Sequence, residues 1–247
     1  MMKKQINSLP ENTDKAGKSV NSGLSQQPNR RKFIHNSALL AGATLIAPGL
    51  SGFNLNNTER IMKKDDISLA QWALVDEIRA GKWTNLDFPK IARETFDING
   101  IEFVNTLFEV PTVNYLNQLK QNADDHGVAM VLIMVDDEGD GAEPTAELRK
   151  QFVINHRKWI DIANYLGCAT IRTNCRAPKD ADPKEAMKWA VESYQMLLEY
   201  AKQAKIKVTI ENHGGVSNDP DWMVELIKKV NDPDFGTYPD WRGPSVD

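Results

Sequence analysis

Lys207-Val208-Thr209-Ile210-Glu211-Asn212-His213-Gly214-Gly215 is the stretch on which the reading of this 247-residue chain turns. A short β-branched run stops at a carboxylate, an amide, an imidazole and two glycines. Val, Thr and Ile suit a pleated strand, and Gly-Gly breaks it. In α/β proteins with parallel strands, functional side chains collect where strands end and loops begin. A Glu at that point can bind a hard metal ion, move a proton, or do both. The alternative is a Glu that only anchors a turn.

The flanking sequence repeats a strand–helix pattern. Strands are expected over Ile67–Ala73, Gly100–Asn105, Val128–Val135, Ala169–Asn174 and Ile206–Glu211, with the start of a sixth at Asp234–Thr237. The run Val128–Val135 is apolar throughout, as in a strand covered on both faces. Helical spacing runs over Leu86–Ile98, Thr112–His126, Thr145–Leu166, Pro183–Lys205 and Asp219–Val230. Gly127 and Gly167 end two of these helices, Pro183 sits in a first turn, and Asn218 or Asp219 caps the last. Such alternation implies βαβ units and a parallel sheet. No Gly-x-Gly-x-x-Gly follows a strand and no Gly-x-x-x-x-Gly-Lys-Ser/Thr occurs, so dinucleotide and P-loop readings lack support. The expected fold class is α/β, a (β/α)8 TIM-barrel type, with five complete units and part of a sixth. A closed barrel needs eight. The barrel is therefore read as incomplete and the chain as a fragment; the alternative is an oligomer in which another chain covers the open parallel edge.

The 41% apolar content is enough for a core, and the net charge is −4. Residues 1–50 hold seven Lys/Arg and two acids, which leaves 23 basic against 32 acidic side chains in the remainder, a net of −9. Such a body repels phosphate backbones, so nucleic acid is not expected as a partner. Cys168 and Cys175 bracket one expected strand. Seven extended residues span roughly 23 Å, beyond disulfide reach, and both thiols are read as unpaired.

Residues 1–55 read as a leader and 56–247 as the barrel domain. The leader is polar up to Asn29-Arg30-Arg31-Lys32-Phe33-Ile34, and a short apolar segment, Ala38–Leu50, follows. This resembles a twin-arginine export signal. The apolar part is too short for a stable membrane span, which takes about 20 residues. Export to the periplasm is expected, with cleavage between about 43 and 55.

Glu102 alternates with Ile101 and Phe103, which places it on the interior face with Asn105 near the strand end. Arg172 and Asn174 share one face of their strand. Arg suits phosphate or sugar hydroxyls, and an ion pair with Glu102 is the structural alternative. His213 follows Glu211 by two positions and either contacts substrate or lies on a surface loop. Asp240, in Pro239-Asp240-Trp241, is either a ligand or ordinary loop chemistry. Trp72 is read as a core residue ahead of a sugar-stacking wall. The acidic run Asp136-Asp137-Glu138-Gly139-Asp140 reads as a solvated loop, and His126 and His156 as structural or exposed.

The segments Ile67–Trp72, Gly100–Asn105, Ile133–Gly141, Ile171–Asn174, Ile210–Gly215 and Gly236–Gly243 resemble the sugar phosphate isomerase/epimerase family, the xylose isomerase-like TIM barrels that include endonuclease IV relatives. The resemblance implies a divalent ion, Mn²⁺ or Mg²⁺, at the C-terminal mouth of the barrel. Its ligands in the family are Glu, Asp, His and Glu. Glu211 matches the first and Asp240 the second; the remaining two fall on strands beyond those read here. It further implies a metal-dependent sugar or sugar phosphate isomerase or epimerase that works through an enediolate. Glu211 would be ligand and base, and His213, Asn212, Arg172, Asn174 and Glu102 would contact a sugar or keto-sugar. The second reading is an exported, non-catalytic partial barrel that binds a sugar or a protein.

Overall fold

The computed structural model describes residues 66–241. The expected leader and export signal lie outside them. The strands are β1 (Leu69–Ala70), β2 (Gly100–Val104), β3 (Ala129–Met134), β4 (Thr170–Thr173), β5 (Lys207–Ile210) and β6 (Phe235–Thr237). All neighbours pair in parallel, in the order β1-β2-β3-β4-β5-β6, so the sheet is open, with β1 and β6 at its edges. Helices α1 (Val75–Arg79), α2 (Phe88–Phe96), α3 (Val113–His126), α4 (Ala146–Leu166), α5 (Pro183–Gln203) and α6 (Pro220–Val230) connect the strands. The expected TIM-barrel-type α/β fold is present as six parallel strands that do not close on themselves.

Local chemistry explains the helix ends. Thr112, Thr145, Asp182 and Asp219 accept hydrogen bonds from first-turn N–H groups of α3, α4, α5 and α6. Between Asn218 and Asp219 as the cap of α6, it is Asp219. Gly127 and Gly167 take the left-handed conformation that stops α3 and α4.

The first strand is shorter than expected. Ile67–Ala73 yields only two strand residues, and the chain then coils into a 3-10 turn over Gln71–Leu74. The cause is Gln71, whose side-chain oxygen accepts the Val104 N–H at 2.6 Å and replaces a backbone rung. Its amide nitrogen donates to Asn85. The turn also moves Trp72 out of the core: it is 38% exposed, a correction to its reading as a core residue.

Strand alternation divides the sheet into two faces. Ile101, Phe103, Ile133, Ile171, Val208 and Ile210 face the helices and join Leu119, Ile160, Tyr194 and Leu197 in the main core. Val104, Leu132 and Met134 form a separate small cluster with Ala70, Leu107, Val131 and Tyr238. Cys168 and Cys175 are both free and buried at the two ends of β4, and burial pushes each thiol up to about 12. Among the described residues no helix is long and apolar enough to cross a membrane.

Candidate active site

The polar residues of the inner face collect at the C-terminal ends of β2 to β6. Arg172, on β4, is 2% exposed and is the hub. Its Nη1 donates to Asp136 Oδ1 at 2.6 Å and to Asn174 Oδ1 at 3.1 Å, and Asn174 Nδ2 donates to the same Asp136 oxygen at 2.8 Å. Its Nε lies 2.9 Å from Glu211 Oε2. Neither of those two atoms makes a hydrogen bond, because the N–H is not aimed at the oxygen. The contact is ionic, and Glu211 keeps a buried oxygen without a donor.

Two carboxylates thus share one guanidinium unequally. Burial on its own would raise Asp136, but the hydrogen bond and charge of Arg172 and the Asn174 amide outweigh it and hold Asp136 below the usual carboxylate range. Glu211 lies above its usual range. Burial is the main cause, and the charges of Asp240 and Asp136 add to it against the pull of Arg172 and His213. Two neighbouring acids pushed in opposite directions are a common sign of divided roles: one stays ionised and the other exchanges a proton.

Glu102 is placed inward as its alternation requires, but it does not pair with Arg172. It accepts from Ser68 and from the Tyr238 hydroxyl. The ion-pair alternative is therefore corrected: Arg172 pairs with Asp136 and Glu211, which lie at the ends of the two strands flanking β4. The acidic run is corrected too. Asp137 is exposed, but Asp136 is drawn into the hub, Glu138 pairs with Lys158 and accepts from Trp159, and Asp140 accepts the Arg176 N–H at 3.2 Å. A strand end beside Arg172 requires a counter-charge, and the acid run supplies it.

His213 stays near Glu211 beyond the strand end: its Nδ1 is 3.9 Å from Glu211 Oε1, and the ring is half-exposed. Gly214 and Gly215 follow with φ of 103° and 62°, backbone that side chains rarely tolerate, and turn the chain into the 3-10 segment Gly215–Asn218. Asn212 does not point its amide at the cleft. Its Oδ1 accepts the Asp240 N–H at 2.7 Å and its Nδ2 donates to the Asp240 carbonyl at 3.0 Å. Asn105 does the same to Asp136, at 2.8 and 2.9 Å.

Beside these groups lies a cleft of about 440 Å³ lined by Ala70, Trp72, Met134, Glu211, Tyr238, Pro239, Asp240 and Trp241. Its size falls within the range of small-molecule sites. Its lining combines the aromatic residues Trp72, Tyr238 and Trp241 with the acids Glu211 and Asp240, a composition that suits a polyhydroxylated ring with apolar C–H faces. The sequence reading missed Asp136, Tyr238 and Ser68. The signal for Tyr238 was present in Gly236-Thr237-Tyr238-Pro239-Asp240, where strand alternation from Gly236 puts Tyr238 on the inner face.

A metal ion, which the sequence resemblance implies, can be tested against these residues. Glu211 and Asp240 line the same cleft, but the undonated Glu211 oxygen is buried against Arg172 Nε at 2.9 Å, so it is presented to a guanidinium and not to a cation. Among the described residues no three His, Cys, Asp or Glu side chains converge to hold a metal.

The open parallel sheet with its charged groups at the C-terminal strand ends defines a protein of the TIM-barrel type. From residue 90 to residue 242 the sequence matches the Xylose isomerase-like TIM barrel family, and the chain belongs to it. Comparison with curated proteins finds no match. Among solved structures, D-psicose 3-epimerase from Clostridium cellulolyticum H10, crystallised with D-tagatose, is similar at a TM-score of 0.54 and 15% identity, over 65% of this chain and 61% of that one. The family 2 AP endonuclease from Brucella melitensis is similar at 0.54 and 20%, over 66% and 65%. The 3-keto-D-glucoside 4-epimerase from E. coli is similar at 0.54 and 14%, over 66% and 67%. The chain thus spans 61 to 67% of the length of these three proteins, and at such identities the likeness is one of fold.

Proposed function

We propose that this chain acts as a sugar isomerase or epimerase on a keto-sugar or sugar phosphate through an enediolate. The observation that carries the reading is Glu211: a buried carboxylate at a strand end, raised in basicity, open to an aromatic cleft, and paired through Arg172 with an Asp136 that stays ionised. Glu211 takes the proton from the carbon beside the substrate carbonyl. From the same side it delivers a proton, exchanged with solvent, to the neighbouring carbon, which accounts for isomerisation; epimerisation needs a second acid on the opposite face of the enediolate. Arg172 holds the Glu211 carboxylate in place and offsets part of its charge. His213 stands at the rim, beside Glu211. Trp72, Tyr238 and Trp241 offer faces for the C–H side of the sugar.

Incubation with keto-sugars in deuterated water and Mn²⁺ tests the reading. Deuterium is expected at the carbon next to the carbonyl, and Glu211→Gln is expected to reduce its incorporation at least 100-fold. No incorporation by the wild-type chain overturns it. Retained sugar affinity without incorporation would instead mark the non-catalytic binding reading. The acidic body argues against a nucleic acid substrate. The Arg30-Arg31 signal places the protein in the periplasm under this proposal; an unchanged location of the tagged protein after Arg30→Lys and Arg31→Lys would remove that part.

A further inference from the structure

Glu102 ties the two edges of the open sheet together. Its Oε1 accepts from Ser68, which precedes β1, and its Oε2 accepts from the hydroxyl of Tyr238, which follows β6. Glu102 itself sits on β2, so the bond to Tyr238 joins strands that are not neighbours in the sheet. A phenol has one proton to give. Tyr238 gives it to Glu102, so towards a ligand in the cleft its oxygen is an acceptor and not a donor. Burial, then the hydrogen bond and charge of Glu102, raise the phenol above its ordinary pKa, and it keeps that proton in neutral solution.

The rest of the polar lining has the same sense. Glu211 and Asp240 are acids, and among the described residues that line the cleft none is Lys or Arg. The Asp240 charge is close enough to help raise Glu211. Two arginines at this end of the sheet are engaged elsewhere. Arg172 is 2% exposed and pairs with Asp136 and Glu211. Arg176 pairs with Asp140 at 3.3 Å. Oxygen acceptors of this kind take hydroxyl donors. A phosphate monoester is the opposite case: it brings a charge of roughly −1.5 to −2 at neutral pH and further acceptor oxygens. In this cleft it meets like charge with no cation to offset it.

We infer that the Ser68–Glu102–Tyr238 chain is a specificity determinant: by engaging the Tyr238 proton it completes an acceptor-rich cleft that takes uncharged, hydroxyl-rich sugars and rejects their phosphate esters. This rests on the proposed function for its ligand class and narrows that class to the unesterified keto-sugars. Arg172, a residue type that suits phosphate, serves the two carboxylates instead.

The test is calorimetric titration of the full chain with each D-2-ketohexose and with its 6-phosphate, a pair that differs only in the ester. At least one free sugar is expected to bind about tenfold or more tightly than its ester. Tyr238→Phe is expected to weaken that sugar about fivefold and its ester less, because only a hydroxyl donor loses its partner. Asp240→Asn, which keeps the side-chain volume, should narrow the gap between the two forms about threefold, and it carries the comparison should Tyr238→Phe fold poorly. Esters that bind as well as the free sugars overturn the inference, as does a chain that binds neither. So does a Tyr238→Phe variant that weakens both forms equally, since Tyr238 would then be structural only. Deuterium incorporation separates this from the proposed function. Incorporation from the esters alone sinks the inference and leaves the isomerase reading intact. Free sugars that bind without incorporation sink that reading and leave the preference of the cleft standing.

Discussion

The two faces of one sheet follow opposite rules. On the helix side, Ile101, Phe103, Ile133, Ile171, Val208 and Ile210 merge with the helices into one apolar core. On the other side, three buried apolar residues share the surface with Glu102, Arg172 and Glu211, all at most 7% exposed. The backbone is common to both, and residues on β4 alternate between them: Ile171 and Thr173 outward, Arg172 inward. Burial therefore does not distinguish the core from the site. What distinguishes them is how polarity is satisfied: the outer face excludes charge, and the inner face neutralises it within a network. A network of that kind is specific about partners and intolerant of losing one.

The sharpest way to break this contrast is Arg172→Met. The volume is roughly kept, but Asp136 and Glu211 lose their shared cation while still buried. A loss of about 3–5 kcal/mol in unfolding free energy is expected by urea denaturation. Adding Asp136→Asn to Arg172→Met should recover part of it, because one stranded charge is then removed. A strictly additive double variant would mean that the two side chains do not act as a unit.

The helix side also buries a few polar side chains, Thr173 and Ser193 among them, and one imidazole. His156, on α4, is 0% exposed, donates Nδ1–H to the Phe152 carbonyl at 2.7 Å, and has no partner at Nε2. Burial lowers its pKa from 6.5 to about 4. Between those values the unfolded chain binds a proton that the folded chain refuses, so stability falls as pH falls from 6.5 towards 4. The full effect is about 3 kcal/mol. His156→Phe should flatten the dependence of unfolding free energy on pH over that window; an unchanged slope would mean that the ring is not held neutral. The inner face should show no such dependence on this residue.

A third effect sits where the faces meet. At Gly141, a Cβ would lie 2.6 Å from the Tyr194 ring and hydroxyl. Tyr194 is fully buried, and its hydroxyl bonds Thr173 and the Asn174 carbonyl. It cannot swing away without disturbing the end of β4. Gly141→Ala is expected to cost about 1–3 kcal/mol, again by denaturation. If it also slows deuterium incorporation, outer-face packing is holding Asn174 and Arg172 in register.

Most of the sheet was legible because helix periods, caps and β-branched runs are local signals. Thr112, Thr145 and Asp219 mark helix starts as the residues themselves imply. Alternation placed Glu102 on the inner face and put Arg172 and Asn174 on one common face, and Glu211 was legible as a carboxylate at a strand end. The partnerships were not legible. That Arg172 meets Asp136 and not Glu102 depends on how adjacent strands are staggered, and the shift in register between Ile101 and Glu102 leaves no trace in composition. Gln71 defeated the strand reading of Ile67–Ala73 because a side-chain amide took a backbone role. Asn212 did the same at the cleft. Both cases share one physical cause: amide side chains mimic the peptide group, and the choice between substrate and backbone is made by tertiary geometry.

The smallest expected effect is the control for the whole contrast. Ile171 is the immediate neighbour of Arg172, equally buried, on the other face of the same strand. Ile171→Val removes one methylene from the apolar core without stranding any polar group. Its cost is expected at about 0.5–1.5 kcal/mol, with no change in deuterium incorporation. Two adjacent positions of equal burial would then differ severalfold in the penalty for losing their side-chain chemistry, which attributes the difference to charge pairing and not to depth. A cost for Ile171→Val as large as that for Arg172→Met would place the fragility of β4 in its packing, and the polar hub would lose its standing as a separate unit.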